Sequence, residues 1–172
     1  MSMNQVTRAH VRDYMIHGAA LLESMHIREL GGANKGQVVE ALQKLAGGKP
    51  GDSWCCAFLD VLYDAACRSV GVPHDFDIGL SVSRIQKIAA AQDRYFEDAA
   101  RVKRGDLVLL KGGPTGFKHI GLALGSYNPV TSQIRTIEGN TSSSGSGSQD
   151  NGDGIYRKVR DPLELPMGYI EM

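Results

Sequence analysis

Apolar residues recur at helical spacing through the first half of the chain and form short, strand-length runs in the second half. The first half predicts four helices: residues 7–25, a second ending near Leu45 with Asn34 as its N-cap, a third from about Ser53 to Arg68, and a shorter one capped by Ser81. The second half predicts strands at 106–110, 117–124, 134–138 and 155–159. This order predicts an α+β fold, with N-terminal helices packed on an antiparallel β-sheet.

The pattern shows no internal repeat and no interdomain linker, so residues 1–172 are expected to form a single domain. Residues 141–154 contain no apolar side chain, and we expect a mobile hairpin loop there because nothing anchors it to a core. Glycine is abundant, with 21 residues, which indicates many turns or places where the backbone closely approaches another group.

Charge and hydropathy exclude two large classes of protein. Nineteen basic residues balance nineteen acidic ones, whereas a general nucleic-acid binder usually carries a basic excess. No apolar run approaches the ~18 residues that a membrane-spanning helix needs. Residues 1–20 are also too polar for a secretory signal, so no signal peptide is expected.

The three cysteines, Cys55, Cys56 and Cys67, lack the spacings of a disulfide framework or a zinc site. They are either buried thiols, as free cysteines commonly are, or they include a reactive one. Cys55 lies in the first turn of the third predicted helix, where partial positive charge and free N–H groups lower a thiol pKa and can hold an oxyanion. It shares an apolar face with Leu59 and Leu62, which should pack on the sheet, whereas the face of Cys56 is more mixed.

A histidine and two polar residues on the predicted strands are candidate partners for that thiol. His119 alternates with the small residue Gly121 on a face that a helix end can approach. It is either a hydrogen-bonded core histidine or a base that takes the thiol proton. Glu138 and Asn140 end the next strand, and either one can accept from the ring N–H and orient it. This order of cysteine, histidine and polar residue is that of papain-like thiol hydrolases.

Six segments also resemble the motifs of CHAP domains, the cysteine, histidine-dependent amidohydrolases/peptidases. In chain order they are RELGGANKG at 28–36, SWCCAF at 53–58, GDLV at 105–108, KHIG at 118–121, TIEGNT at 136–141 and GDGIYR at 152–157. The resemblance covers roughly residues 15–160, nearly the whole chain. The second cysteine at position 56 departs from the family pattern and leaves open which thiol an alkylating reagent finds first.

The resemblance implies a papain-like fold and a peptidoglycan hydrolase that cleaves an amide bond of the cell-wall peptide, as an amidase or endopeptidase. It assigns Cys55 as the nucleophile, His119 as the base, Glu138 as the orienting acid and Asn140 as an auxiliary polar group. Three further residues are expected to bind substrate: Trp54, Glu29 and Asn34. A tryptophan at this position is equally suited to anchor the start of the helix.

No cofactor and no required metal are expected, because Asp75 and Asp77 lack the acidic cluster of the calcium loops found in some CHAP domains. Two other functions are compatible with the same residues: a papain-like transamidase, deamidase or small-molecule amidase, and a non-catalytic cell-wall-binding module. No separate wall-binding domain is visible. We therefore expect a protein made in the cytoplasm that reaches the wall by phage lysis, with a virion or through a secretion system, and the sequence identifies no immunity or delivery partner.

Overall fold

A computed structural model of the protein describes residues 5–112, 116–143 and 152–172. In these ranges the helices are α1 (Gln5–Ser24), α2 (Gln37–Leu45), α3 (Cys55–Val70) and α4 (Val82–Ala91), with a short 3-10 helix at Ala99–Arg101. The strands are β1 (Tyr95–Phe96), β2 (Leu107–Lys111), β3 (Phe117–Ala123), β4 (Ile134–Thr141), β5 (Gly154–Arg160) and β6 (Met167–Ile170). The structure is therefore a mixed α+β fold. None of the described helices combines the length and hydropathy needed to cross a bilayer.

The described strands form one antiparallel six-stranded sheet in the order β1-β6-β2-β3-β4-β5. β3 pairs with β4, with Leu122 opposite Ile137, and β4 pairs in turn with β5. An irregularity between Glu138 and Thr141 interrupts the β4–β5 ladder, and Asn140 takes a left-handed φ of 58° within it. The candidate polar residues thus lie at a bulge, a feature that often re-aims side chains beside functional sites.

Helix α3 contacts α1 and α2 as well as β3 and β4, whereas α4 packs directly on β3 and β1. The α3 residues Phe58, Leu59 and Leu62 belong to an apolar cluster that also contains Ile120 and Ile137 of the sheet. The apolar face that carries Cys55 therefore packs on the sheet, as predicted. This packing brings the N-terminus of α3 against β3 and β4.

Strand β2 is buried on both faces, which explains why its sequence is a continuous apolar run rather than an alternating one. Leu107 and Leu109 join the cluster beneath the helices, whereas Val108 and Leu110 join a second apolar cluster. The strand next to β3 is thus fixed from both sides, which gives the histidine-bearing strand a rigid neighbour.

The four helices and four strands predicted from the sequence are confirmed, with bounds shifted by a few residues. Ser81 caps α4 by accepting from the Arg84 backbone N–H at 3.3 Å, as predicted. The predicted cap of α2 is wrong: Gly36 is the N-cap, and Asn34 lies in the preceding turn with a left-handed φ of 57°. Strands β1 and β6 were not predicted. Of the loop predicted at 141–154, residues 144–151 lie outside the described residues.

The face of α3 that carries Cys56 also carries Asp60, Tyr63 and Cys67, and the half-buried Asp60 makes it a mixed face, as predicted. The side chains of Cys56, Tyr63 and Cys67 are buried. They are buried because α1 and α2 pack on α3 in addition to the sheet. Burial of Cys56 and Cys67 agrees with a structural role for these two thiols.

Candidate active site

The N-terminus of α3 places Cys55 in the first turn of the helix. The helix begins directly after Trp54, its N-cap residue, whose side chain makes no capping hydrogen bond. The first backbone N–H groups of a helix have no intrahelical partner and carry partial positive charge. Cys55 is 3% exposed, and its sulfur lies 3.8 Å from the Ser53 hydroxyl. A thiol in this position is favoured electrostatically as the thiolate.

His119 and Glu138 come together from the paired strands β3 and β4. The His119 Nε2 lies 3.0 Å from the Glu138 Oε2, and both side chains are buried. Of the two residues that could orient the ring, Glu138 and Asn140, it is Glu138 that contacts it. The other ring nitrogen, Nδ1, is buried and makes no hydrogen bond of normal geometry to the described residues. Nδ1 is therefore the nitrogen available to the thiol.

The cysteine and the histidine shift each other's pKa in opposite directions. A hydrogen bond from the Cys56 thiol, together with the neighbouring His119 ring, lowers the pKa of Cys55 well below its usual value despite burial. The same bond raises the pKa of Cys56, so Cys55 is the thiol that ionises first. Burial alone would lower the pKa of His119, but Cys55 and Glu138 raise it to about 9. The two shifts together favour the thiolate–imidazolium form of the pair.

Arg160, at the end of β5, belongs to the site and was missed by sequence reasoning. Its Nε donates to the Glu138 Oε1 at 2.8 Å, and its Nη2 donates to Oε2. Burial alone would raise the pKa of Glu138, but His119 and Arg160 lower it to about 2. Four side chains thus form a row of alternating negative and positive charges when the thiol is a thiolate and the ring an imidazolium. We call it the charge row, and its members are Cys55, His119, Glu138 and Arg160.

Two glycines make room for these side chains. A β-carbon at Gly121 would lie 2.6 Å from the Glu138 Cγ, so the carboxylate occupies the space that a side chain would need. At Gly139 a β-carbon would lie 2.9 Å from both Phe58 and Trp54, at the start of α3. The start of α3 thus lies close to His119, as expected, and also approaches Gly139, while Gly121 accommodates the carboxylate.

Replacing Gly121 with alanine should displace Glu138 from the ring and lower the free energy of unfolding by about 1–3 kcal/mol, as overpacking of a dense interior usually does. The added methyl group would lie too close to the Glu138 Cγ to fit without movement. Urea unfolding measures the change. Gly125→Ala is the matched control, since a β-carbon there meets no atom within 4 Å. Equal stability of the two variants would contradict the close packing.

Asn140 contacts the start of α3 rather than the imidazole. In the orientation that satisfies both ends of its amide, the nitrogen donates to the Gly152 carbonyl at 2.9 Å. The oxygen then accepts from the Ser53 hydroxyl at 2.9 Å and from the Trp54 backbone N–H at 3.2 Å. Asn140 thus joins β4 to the residues that precede Cys55. A part for it in catalysis stays a prediction.

The three residues predicted to bind substrate form one bonded group behind the start of α3. The Glu29 carboxylate accepts from the Trp54 indole N–H at 2.9 Å and from the Asn34 backbone N–H at 2.8 Å. The Asn34 side chain also lies 3.3 Å from the Asn140 amide. Trp54 is fully buried, so it has no exposed surface with which to stack on a substrate, and its contacts are those of a packing anchor. The Glu29 carboxylate likewise fastens the 28–36 segment to α3.

The described residues contain no group of three or more histidine, cysteine, aspartate or glutamate side chains that could hold a metal ion. Asp75 is paired with Arg8 and Arg94, at 2.9 and 2.7 Å. Asp77 is paired with Arg84 at 2.6 Å. The two aspartates considered for a calcium loop thus have arginine partners in this structure.

Comparison of the chain with family models, with curated proteins and with solved structures gives no match. The resemblance to CHAP domains therefore rests on the sequence motifs, and the function has to be argued from the chemistry of the site.

Proposed function

We propose that the protein is a papain-like thiol hydrolase that cleaves an amide bond of bacterial peptidoglycan after lysis or delivery brings it to the wall. The observation that carries the proposal is a helix-start thiol of lowered pKa beside an imidazole that is bonded to a buried carboxylate. This arrangement is that of an activated nucleophile for acyl transfer. The choice of peptidoglycan comes from the motifs at 28–36, 53–58 and 136–141.

In the first half of the reaction, the Cys55 thiolate attacks the carbonyl carbon of the scissile amide. The oxyanion that develops lies at the N-terminus of α3, where free N–H groups stabilise it. The His119 imidazolium then gives its Nδ1 proton to the leaving nitrogen as the C–N bond breaks. The products of this half are a free amine, a thioester on Cys55 and a neutral imidazole.

In the second half, the neutral imidazole takes a proton from water as the water oxygen attacks the thioester. The C–S bond breaks, the acid product leaves, and the thiolate and imidazolium are restored. Glu138 keeps its bond to Nε2 throughout, so the transferred proton moves on and off Nδ1. The carboxylate stays ionised and stabilises the imidazolium.

Digestion of purified peptidoglycan of known chemotype in heavy-oxygen water tests the proposal. We expect new amino groups, one labelled oxygen in each new carboxylate, and fragment masses that identify the bond cut. Protein treated beforehand with iodoacetamide is the control and should release nothing. Transfer of the acyl group to an added amine without label would assign a transamidase instead. Binding to the wall without release of any amine would contradict hydrolysis and assign a wall-binding module.

A further inference from the structure

Arg160 is a fourth side chain on a site whose reaction needs only a thiol, a base and an orienting group. It is 7% exposed, although arginine is rarely buried unless it is paired. Its guanidinium forms a fork of two N–H donors that bond to both carboxylate oxygens of Glu138. The Oε2 of this carboxylate also contacts the His119 Nε2. The guanidinium and the imidazole therefore hold the same carboxylate and share its Oε2.

The fork restricts the direction in which the carboxylate points. Two parallel N–H···O bonds fix both the position and the plane of the group, which a single bond cannot do. The Thr136 hydroxyl adds a third bond, to Oε1 at 2.5 Å. Gly121 leaves the space in which Glu138 lies.

The charges of the row explain what the guanidinium does electrostatically. With a thiolate at Cys55, an imidazolium at His119, a carboxylate at Glu138 and Arg160 protonated, the buried row has no net charge. Without Arg160 it would carry one net negative charge, which burial disfavours. The partly exposed Lys158, which also faces Glu138 and Arg160, would then be the nearby cation that remains. A proton would then be taken up by the carboxylate or the thiolate. Protonation of the thiolate removes the thiolate–imidazolium pair directly. Protonation of the carboxylate also disfavours the pair, because a neutral carboxylic acid no longer stabilises the imidazolium.

We infer that Arg160 is a positioning residue that keeps Glu138 ionised and aimed at His119, and so maintains the Cys55 thiolate. Its importance for catalysis rests on the proposed function. Its effect on the thiol can be measured without any substrate.

The pH dependence of Cys55 alkylation by iodoacetamide, followed by peptide mass spectrometry, is the test. The wild-type midpoint should lie well below the value of about 8.5 for a free thiol. Arg160→Gln should raise this midpoint by about one pH unit or more, which is at least a tenfold loss of thiolate on the acid side. It should also lower kcat/KM on peptidoglycan by about 10- to 100-fold, as removal of a partner that orients a functional imidazole does. Arg160→Lys retains the charge without the fork and should give an intermediate midpoint.

Arg157→Gln is the matched control, because the same substitution on the same strand removes an exposed ion pair, with Glu23 at 2.8 Å, away from the site. Its midpoint should equal that of wild type. If Arg160 acts through Glu138, the double variant Glu138→Gln/Arg160→Gln should have the midpoint of Glu138→Gln alone. An additive shift in the double variant would overturn that route of action.

If folded Arg160→Gln protein has the same pH midpoint of Cys55 alkylation as wild type, the inference is overturned. If circular dichroism shows that Arg160→Gln does not fold, the alkylation midpoints of Arg160→Lys and of the double variant test the inference instead. The double variant is expected to fold, because its two neutral amides leave no unpaired buried charge. A low wild-type midpoint that rises in Arg160→Gln, in a protein that does not cleave peptidoglycan, would refute the proposed function and support the role of Arg160.

Discussion

Cys55→Ala removes the proposed nucleophile and is expected to lower the rate of peptidoglycan cleavage by roughly ten-thousand-fold or more, the scale seen when a triad nucleophile is removed. The neighbouring Cys56 is not expected to replace the thiolate, because burial and the nearby Asp60 still raise the pKa of Cys56 when Cys55 is absent. The fold should be retained, since alanine is a small apolar residue in a buried position. Release of amino groups from purified peptidoglycan measures the loss, and thermal unfolding confirms the fold.

Cys67→Ala is the matched control for the loss of a buried thiol elsewhere on α3, and it should cleave at nearly the wild-type rate. Cys56→Ser should also retain most activity, because its hydroxyl still donates towards the Cys55 sulfur. Cleavage by Cys55→Ala at the wild-type rate would refute the thiol mechanism. Near-total loss in Cys56→Ser, with activity left in Cys55→Ala, would reassign the nucleophile to position 56.

Glu138→Gln is expected to damage both activity and stability. Replacing the carboxylate leaves the buried Arg160 without its counter-ion, and breaking a buried pair in this way costs about 3–5 kcal/mol of unfolding free energy. The imidazolium also loses the negative charge that stabilises it, so cleavage should fall by about 100-fold or more. Urea unfolding and peptidoglycan digestion measure the two effects. Glu164→Gln, at an exposed position, is the control and should change neither.

The stability difference between wild type and Glu138→Gln should depend on pH in a defined direction. The pKa of Glu138 is lowered to about 2 in the folded protein, below the value of about 4.3 for an unfolded chain. The stabilisation from this ionised group is therefore present above about 4.3 and is lost as the pH falls towards 2. The two unfolding curves should converge in acid, and a constant difference over that range would show that the carboxylate stabilises the fold by packing alone.

The spacing of apolar residues was sufficient to predict the long helices and strands, but it was insufficient to predict the short strands. α1 and α3 carry several turns of apolar residues, and β3 and β4 are bounded by turn-forming residues. β1 has two residues and β6 has four, too few for any period to emerge. Their strand state comes from pairing with each other and with β2. The N-cap of α2 was missed because Asn34 suits a cap and a left-handed turn equally well.

The thiol, the imidazole and the carboxylate could be found in the sequence because each has a local signal: a helix start, a strand histidine among small residues, and a strand-end acid. Arg160 has no such signal. An arginine at the end of a strand is usually solvated, and its burial here depends on the pairing of β4 with β5. Gly121 was noticed, but the group that fills its space lies on the next strand and could not be deduced from spacing.

The charge row requires α3, β3, β4 and β5 together, and β5 follows the other three along the chain. During synthesis the strand that carries Arg160 leaves the ribosome after the segment that carries Cys55, because chains emerge from the N-terminus. In the unfolded chain, Cys55 is an ordinary thiol that is mostly protonated at neutral pH. If Arg160 maintains the thiolate as inferred, the proposed nucleophile of the nascent protein becomes fully reactive only after β5 has paired with β4.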